Sequence, residues 1–199
     1  MSAIGAIKIQ PLLLAGRSVR LEPLSVEHVA GLAKVGLEPE LWRLQPAVIG
    51  SVDDMYAYVS AALEDQRRGV SLPFAILDQA SGKIIGSTRY MDIALPHRRL
   101  EIGATWVTSA YQRTAANTEA KLLLLTHAFE TLGVIRVVFK TEVLNEASRR
   151  ALARLGAVEE GTFRKHLITL AGRARDMVYF SILDTEWPAV KARLESRLG

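Results

Sequence analysis

Between Arg99 and Leu132 the chain runs from a strand through a short polar loop into a strongly apolar helix, and this junction constrains the fold most. Residues 99–107, Arg-Leu-Glu-Ile-Gly-Ala-Thr-Trp-Val, alternate as a strand does. Residues 111–117 form the loop, and residues 118–132 place Leu122, Leu125, Phe129 and Leu132 on one helical face. Leucine at every position from 122 to 125 implies burial on more than one side. A loop that presents backbone N–H groups at a helix N-terminus, with an arginine beside them, can hold a phosphate. Here the N–H groups of Thr114, Ala115, Ala116, Asn117 and Thr118 would do so, with Gln112 and Arg113 adding side-chain donors. The alternative is a solvated loop with Asn117 capping the helix.

A second strand-to-helix junction follows. Residues 135–143 are rich in β-branched side chains, and Asn145-Glu-Ala-Ser148 then opens a helix ended by Gly156. Asn145 is an N-cap whose side chain would accept the N–H of Ala147 or Ser148. Ser148 is then either an inert first-turn residue or a chemical group. Glu101 poses a similar choice. Strand interiors disfavour glutamate. Alternation puts Glu101 with Gly103 and Thr105, opposite Leu100, Ile102, Ala104 and Trp106. It is a cross-strand partner for an arginine such as Arg89, or a carboxylate set in a cleft to handle protons.

The remaining elements read in order. Val19 to Leu24 alternate as a first strand, and Ser25 caps a helix carrying Val29, Leu32 and Ala33. Ser51 caps a second helix running to about Gly69. Residues 72–78 and 83–93 are strands around the turn Gln79-Ala-Ser-Gly82, with the 99–107 strand beside them. Gly133 ends the central helix, residues 157–169 and 173–183 form a last hairpin around Leu170-Ala-Gly172, and residues 186–198 make a terminal helix. The order β-α-α-β-β-β-α-β-α-β-β-α predicts an α/β (α+β) domain with a mixed sheet and helices on both faces.

With 199 residues, one domain with a full core fits and two would be cramped. Residues 18–199 are assigned to it and 1–17 to a loose N-terminal arm, since Lys8 and Pro11 break any clean signal sequence. No cysteine is present, which excludes disulfides, thiolate metal sites and a cysteine nucleophile, and fits a reducing cytoplasm. No apolar run is long enough for a membrane span. His28, His97, His127 and His166 show no metal-ligand spacing, so no metal is expected, and His127 reads as a satisfied helix residue. The formal charge of +4 permits a polyanionic partner. The pairs Arg149-Arg150, Arg164-Lys165 and Arg173/Arg175 lack interleaved aromatics, so nucleic acid stays a minor reading. Trp187, Val190 and Leu194 form an apolar stripe that serves packing or a homodimer contact.

Taken together, the order of elements, Gln112-Arg-Thr-Ala-Ala-Asn-Thr-Glu-Ala-Lys121, and Asn145-x-x-Ser148 with Leu155-Gly156-Ala157, Glu160-Gly161 and Arg164 resemble the GNAT N-acetyltransferases. The match is to the RimJ/RimL-like branch and covers about residues 19–187. The resemblance implies a mostly antiparallel, split sheet and direct transfer of acetyl from acetyl-CoA to a primary amine, either a protein N-terminus or a small molecule. It places the backbone of Thr105, Trp106 and Val107 on the pantetheine with Asn145, and the 112–117 loop on the pyrophosphate. It makes Ser148 the acid that protonates the leaving thiolate and Glu101 the base. One departure is visible: the glycine slots of the family's Q/R-x-x-G-x-G/A loop hold Ala115 and Asn117. A non-catalytic CoA-binding module is the alternative. Acceptor walls are expected from residues 37–49, apolar through Leu41, Trp42, Leu44, Pro46, Val48 and Ile49, and from the last hairpin.

Overall fold

The computed structural model describes residues 9–169 and 172–199; the first eight residues of the expected N-terminal arm and Leu170-Ala171 of the last turn lie outside them. Eight strands form one sheet in the order β1-β2-β3-β4-β5-β6-β8-β7: β1 Leu14–Ala15, β2 Val19–Pro23, β3 Leu72–Asp78, β4 Ile84–Ala94, β5 Arg99–Val107, β6 Arg136–Glu142, β7 Val158–Ile168 and β8 Ala174–Leu183. The helices are α1 Val29–Gly36, α2 Pro39–Trp42, α3 Val52–Arg67, α4 Ala115–Thr126, α5 Glu146–Leu155 and α6 Trp187–Leu198. Every strand pair is antiparallel except β5 with β6.

Two apolar clusters sandwich the sheet. Leu124 and Leu125 of α4, Leu152 and Leu155 of α5, and Trp187, Val190 and Leu194 of α6 pack with Leu100, Ile102, Val137 and Phe139. The terminal stripe is therefore consumed by this core rather than left for a partner. Leu32, Trp42, Met55 and Val59 pack with Trp106 on the opposite face, where α1, α2 and α3 lie. His127 is buried and its Nδ1 meets the Tyr90 hydroxyl at 3.2 Å, a satisfied core histidine as its position implies.

Local chemistry explains most boundaries. The Ser51 hydroxyl accepts the Asp54 N–H at 3.1 Å and starts α3. Asn145 Oδ1 accepts the Ser148 N–H at 3.0 Å and starts α5, which Gly156 ends with φ 104°. Ser25 opens a single 3-10 turn, Val26–His28, before α1. Beyond the expected elements the structure adds β1, made by Leu14 and Ala15 of the expected arm, and the short α2. The chain turns into β2 at Gly16, where a Cβ would meet the Glu119 carboxyl at 2.5 Å.

The central helix differs from its sequence reading at both ends. It starts at Ala115, three residues before the expected Thr118, and its cap is Thr114, whose hydroxyl accepts the Ala116 N–H at 3.2 Å. Asn117 is therefore a first-turn residue and not the cap. Alanines 115 and 116 extend the helix because alanine loses no side-chain freedom in it. At the far end, His127–Thr131 form a π-helical turn before Gly133 reverses with φ 62°.

Candidate active site

Strands β5 and β6 pair only over Arg99–Arg136, Leu100–Val137 and Glu101–Val138, and beyond these residues they diverge. The rest of β5, from Ile102 to Val107, has no partner on its β6 side. Because the two strands are parallel, their C-terminal ends open at the same edge, and each feeds a helix N-terminus there: α4 after β5, α5 after β6. A fork with two helix starts at its mouth is the central feature of the site.

The α4 start suits an anion. Helix geometry leaves the N–H groups of Thr114, Ala115 and Asn117 free, while that of Ala116 is taken by the Thr114 hydroxyl and that of Thr118 falls inside the helical ladder, narrowing the expected cradle by two residues. The first turn carries no acidic side chain, and Arg113 stands exposed before it. Asn117 Oδ1 is buried without a hydrogen-bond partner, an amide end free to meet a ligand as acceptor or, once flipped, as donor. The glycine slots are not strained, because Ala115 and Asn117 are helical. The positive φ of this loop, 61°, belongs to Arg113. Gln112 turns its amide back to the Val107 carbonyl at 3.3 Å. The α5 start carries Glu146 in its first turn, so it suits an anion less well.

Alternation along β5 fails at Ala104, where φ is 46° and the register with β4 slips between Ser87–Trp106 and Arg89–Gly103. The bulge corrects the expected faces. Thr105 leaves the Glu101 side and meets Lys121 of α4 at 2.8 Å, while Trp106 crosses to the α1–α3 side and packs 5.3 Å from Trp42. Two long bonds brace the bulge from that side: Tyr58 OH to the Ala104 carbonyl at 3.4 Å and Gln45 Nε2 to the Thr105 carbonyl at 3.5 Å.

Glu101 lies on the face away from α4, buried to 5% exposure in the wall of a cavity of about 480 Å³. Its partner is not Arg89, as the strand reading allowed, but Lys140 of β6, whose Nζ stands 2.7 Å from Oε2 and 2.6 Å from Asp92 Oδ2. Burial pushes the Glu101 carboxyl above its ordinary pKa, with Lys140 opposing the shift. Lys140 is itself raised by its two carboxylates against the pull of burial. Sequence reasoning missed Lys140 and Asp92, although a lysine inside the β-branched run 135–143 was a usable signal. Ser148 is half-buried on α5, lines no part of this cavity, and its hydroxyl has no protein partner among the described residues. The two expected catalytic groups thus belong to opposite faces of the sheet, with the fork between them.

Other basic side chains are neutralised locally. Glu142, 2% exposed, holds Arg173 and holds Arg175 at 2.7 Å, and Arg175 also binds the Leu44 carbonyl at 2.9 Å, tying the 37–49 segment to the last hairpin. Arg149 and Arg150 pair with Glu159 and Glu146. These pairs weaken the nucleic-acid reading. Among the described residues no group of three potential metal ligands occurs, and no helix is long and apolar enough to cross a membrane.

Comparison with known proteins agrees with this geometry. Residues 18–158 match the acetyltransferase (GNAT) domain family. YdaF of Bacillus subtilis, named as a ribosomal N-acetyltransferase, is 34% identical over 110 residues, a match spanning 55% of this chain and only 59% of YdaF. A GCN5-related N-acetyltransferase from Brucella melitensis superposes with a TM-score of 0.89 at 32% identity, over 96% of this chain and 87% of that one. Mycobacterium smegmatis RimJ, solved with CoA-disulfide, superposes with a TM-score of 0.77 at 25% identity, over 94% and 93%. A forked sheet with a helix start at its mouth, in a chain matched over most of its length, makes this protein a member of the GNAT acetyltransferase family, with relatives in the RimJ/RimL-like branch.

Proposed function

We propose that the protein is an acetyl-CoA-dependent N-acetyltransferase acting on a primary amine. The observation that carries this reading is the fork: an anion-binding helix start on one side of the sheet, and a buried carboxylate lining a cavity on the other.

The residues present fit a pyrophosphate-bearing thioester. The free N–H groups at the start of α4, Arg113 and the Asn117 amide, flipped to donate its N–H, would take the diphosphate, and the β5 backbone of Thr105, Trp106 and Val107, which has no β6 strand partner, would with Asn145 take the pantetheine arm. When bound, the carrier supplies an activated acetyl carbonyl. The chain's own groups handle protons and position. Glu101 accepts a proton from the attacking amine, directly or through a water, and Lys140 holds that carboxylate in place. Attack forms the C–N bond, cleavage of the C–S bond releases a thiolate, and Ser148 returns a proton to it. Deprotonating an α-amine of pKa about 8 at pH 7 requires about 1.4 kcal/mol, against about 4.6 for a lysine near 10.4. The smaller deprotonation cost favours an α-amine acceptor over a lysine.

Purified protein supplied with acetyl-CoA and a panel of N-terminal peptides, free amino acids, polyamines and aminoglycosides should release CoA with at least one acceptor. Ser148→Ala should then lower kcat at least tenfold with acetyl-CoA affinity unchanged. Thermal stabilisation by acetyl-CoA without release against any amine would instead identify a non-catalytic CoA-binding module.

A further inference from the structure

We infer that the acceptor carries a carboxylate within a few bonds of its amine, and that Arg89 binds it. This rests on the acetyl-transfer reading above and names its substrate class.

Arg89 is 7% exposed, yet no carboxylate or hydrogen-bond acceptor meets its guanidinium among the described residues, and its Nε is buried without a partner. It stacks on the Tyr58 ring, with Cζ 4.7 Å from the centroid. The other buried cations are served: Arg175 by Glu142 at 2.7 Å, and Lys121 by Thr105 at 2.8 Å. A buried guanidinium without an anion is unfavourable unless something completes it. Its planar fork matches a carboxylate in two parallel hydrogen bonds.

Its location says what that anion accompanies. Arg89 faces Gly103 across the β4–β5 pair, next to the bulge at Ala104 and under the α3 residue Tyr58. Glu101 Oε1 and Met91 Sδ each lie 2.9 Å from where a Gly103 Cβ would stand, and Arg89 is the β4 residue paired with that glycine. Glu101 and Arg89 do not pair with each other, because Glu101 turns to Lys140. A carboxylate and an unpaired guanidinium one register step apart on the same face of the β4–β5 pair fit a zwitterion, its amine toward Glu101 and its carboxylate toward Arg89. Tyr58 is held in place by its bond to the Ala104 carbonyl, so the guanidinium keeps its orientation.

The test compares matched acceptors with the full chain: free amino acids against their amides and, to separate the two sources of such a carboxylate, peptides beginning with Asp or Glu against those beginning with Asn or Gln. In at least one pair the carboxylate form should exceed the amide in kcat/KM by roughly 30-fold or more. Arg89→Met should bring that ratio close to one, and Arg89→Lys should retain part of it. The ratio is read within one protein, so a partly unfolded variant still reports. Equal rates in every pair would overturn the inference. Acetylation of no amine at all would fail the transfer reading instead, and calorimetric binding of the same pairs then decides. Carboxylate-dependent binding lost in Arg89→Met sustains the inference, and binding equal for acid and amide ends it.

Discussion

Glu101 and Glu119 are equally buried, each 5% exposed, and yet they have opposite characters. Glu119, on α4, is saturated by backbone: its carboxylate accepts the N–H groups of Arg17, Ser18 and Val19 at 2.8, 2.7 and 2.8 Å. Those donors are fixed and cannot titrate, so Glu119 is a clamp that fastens the chain entering β2 onto the central helix. Glu101 meets one ammonium, itself shared with Asp92, and borders a cavity. Its charge is met by a side-chain ammonium rather than by fixed backbone donors, which suits the proton-accepting role proposed for it. Burial alone does not mark a catalytic carboxylate; the nature of its hydrogen-bond donors does.

The sharpest way to break this contrast is to neutralise each glutamate. Glu101→Gln should lower kcat by about 10²–10⁴-fold with little change in Tm or acetyl-CoA affinity; full turnover in that variant would remove it from the reaction. Glu119→Ala should do the reverse, lowering stability by about 3–5 kcal/mol in denaturant titration, because three backbone donors lose their acceptor, while kcat per folded molecule stays near normal.

Lys121 extends the comparison to cations. It is 7% exposed, bonded to Thr105, and burial lowers its pKa from 10.5 to about 7. A lysine whose folded pKa lies below its unfolded value favours the unfolded state wherever the unfolded chain holds the proton. That penalty is complete below about pH 7 and gone above about pH 10.5. Lys121→Met should therefore stabilise the protein by about 2–4 kcal/mol at pH 6.5, and much less at pH 10. A melting-temperature gain that does not shrink with rising pH would contradict this. The smallest effect concerns Lys140. Removing its charge leaves burial unopposed at Glu101, so in Lys140→Met the acid limb of the kcat–pH profile should move upward. An unmoved limb would mean Lys140 braces the strand and nothing more.

Much of the fold was legible in sequence because it is decided by near neighbours. β5 spans Arg99 to Val107 as the sequence predicts, though its alternation breaks at Ala104, and the Asn145 cap bonds Ser148 as its spacing predicts. The start of α4 was misplaced because Thr114 and two alanines sit inside a stretch that otherwise reads as polar loop. The site was only half legible. An unusual glutamate in a strand was visible, but its partner was not, since Lys140 reaches it through a parallel pairing that ends at Glu101 itself.

Local propensity, caps and apolar periodicity, which depend on residues a few positions apart, thus settled by themselves that this chain builds a mixed sheet with helices launched from two strand ends. Which face Thr105 and Trp106 occupy, which cation meets Glu101 and which cation meets nothing were settled only when distant strands paired. A bulge at Ala104 and a fork after Glu101 are properties of register between strands, and register is fixed by the whole sheet closing around its two cores.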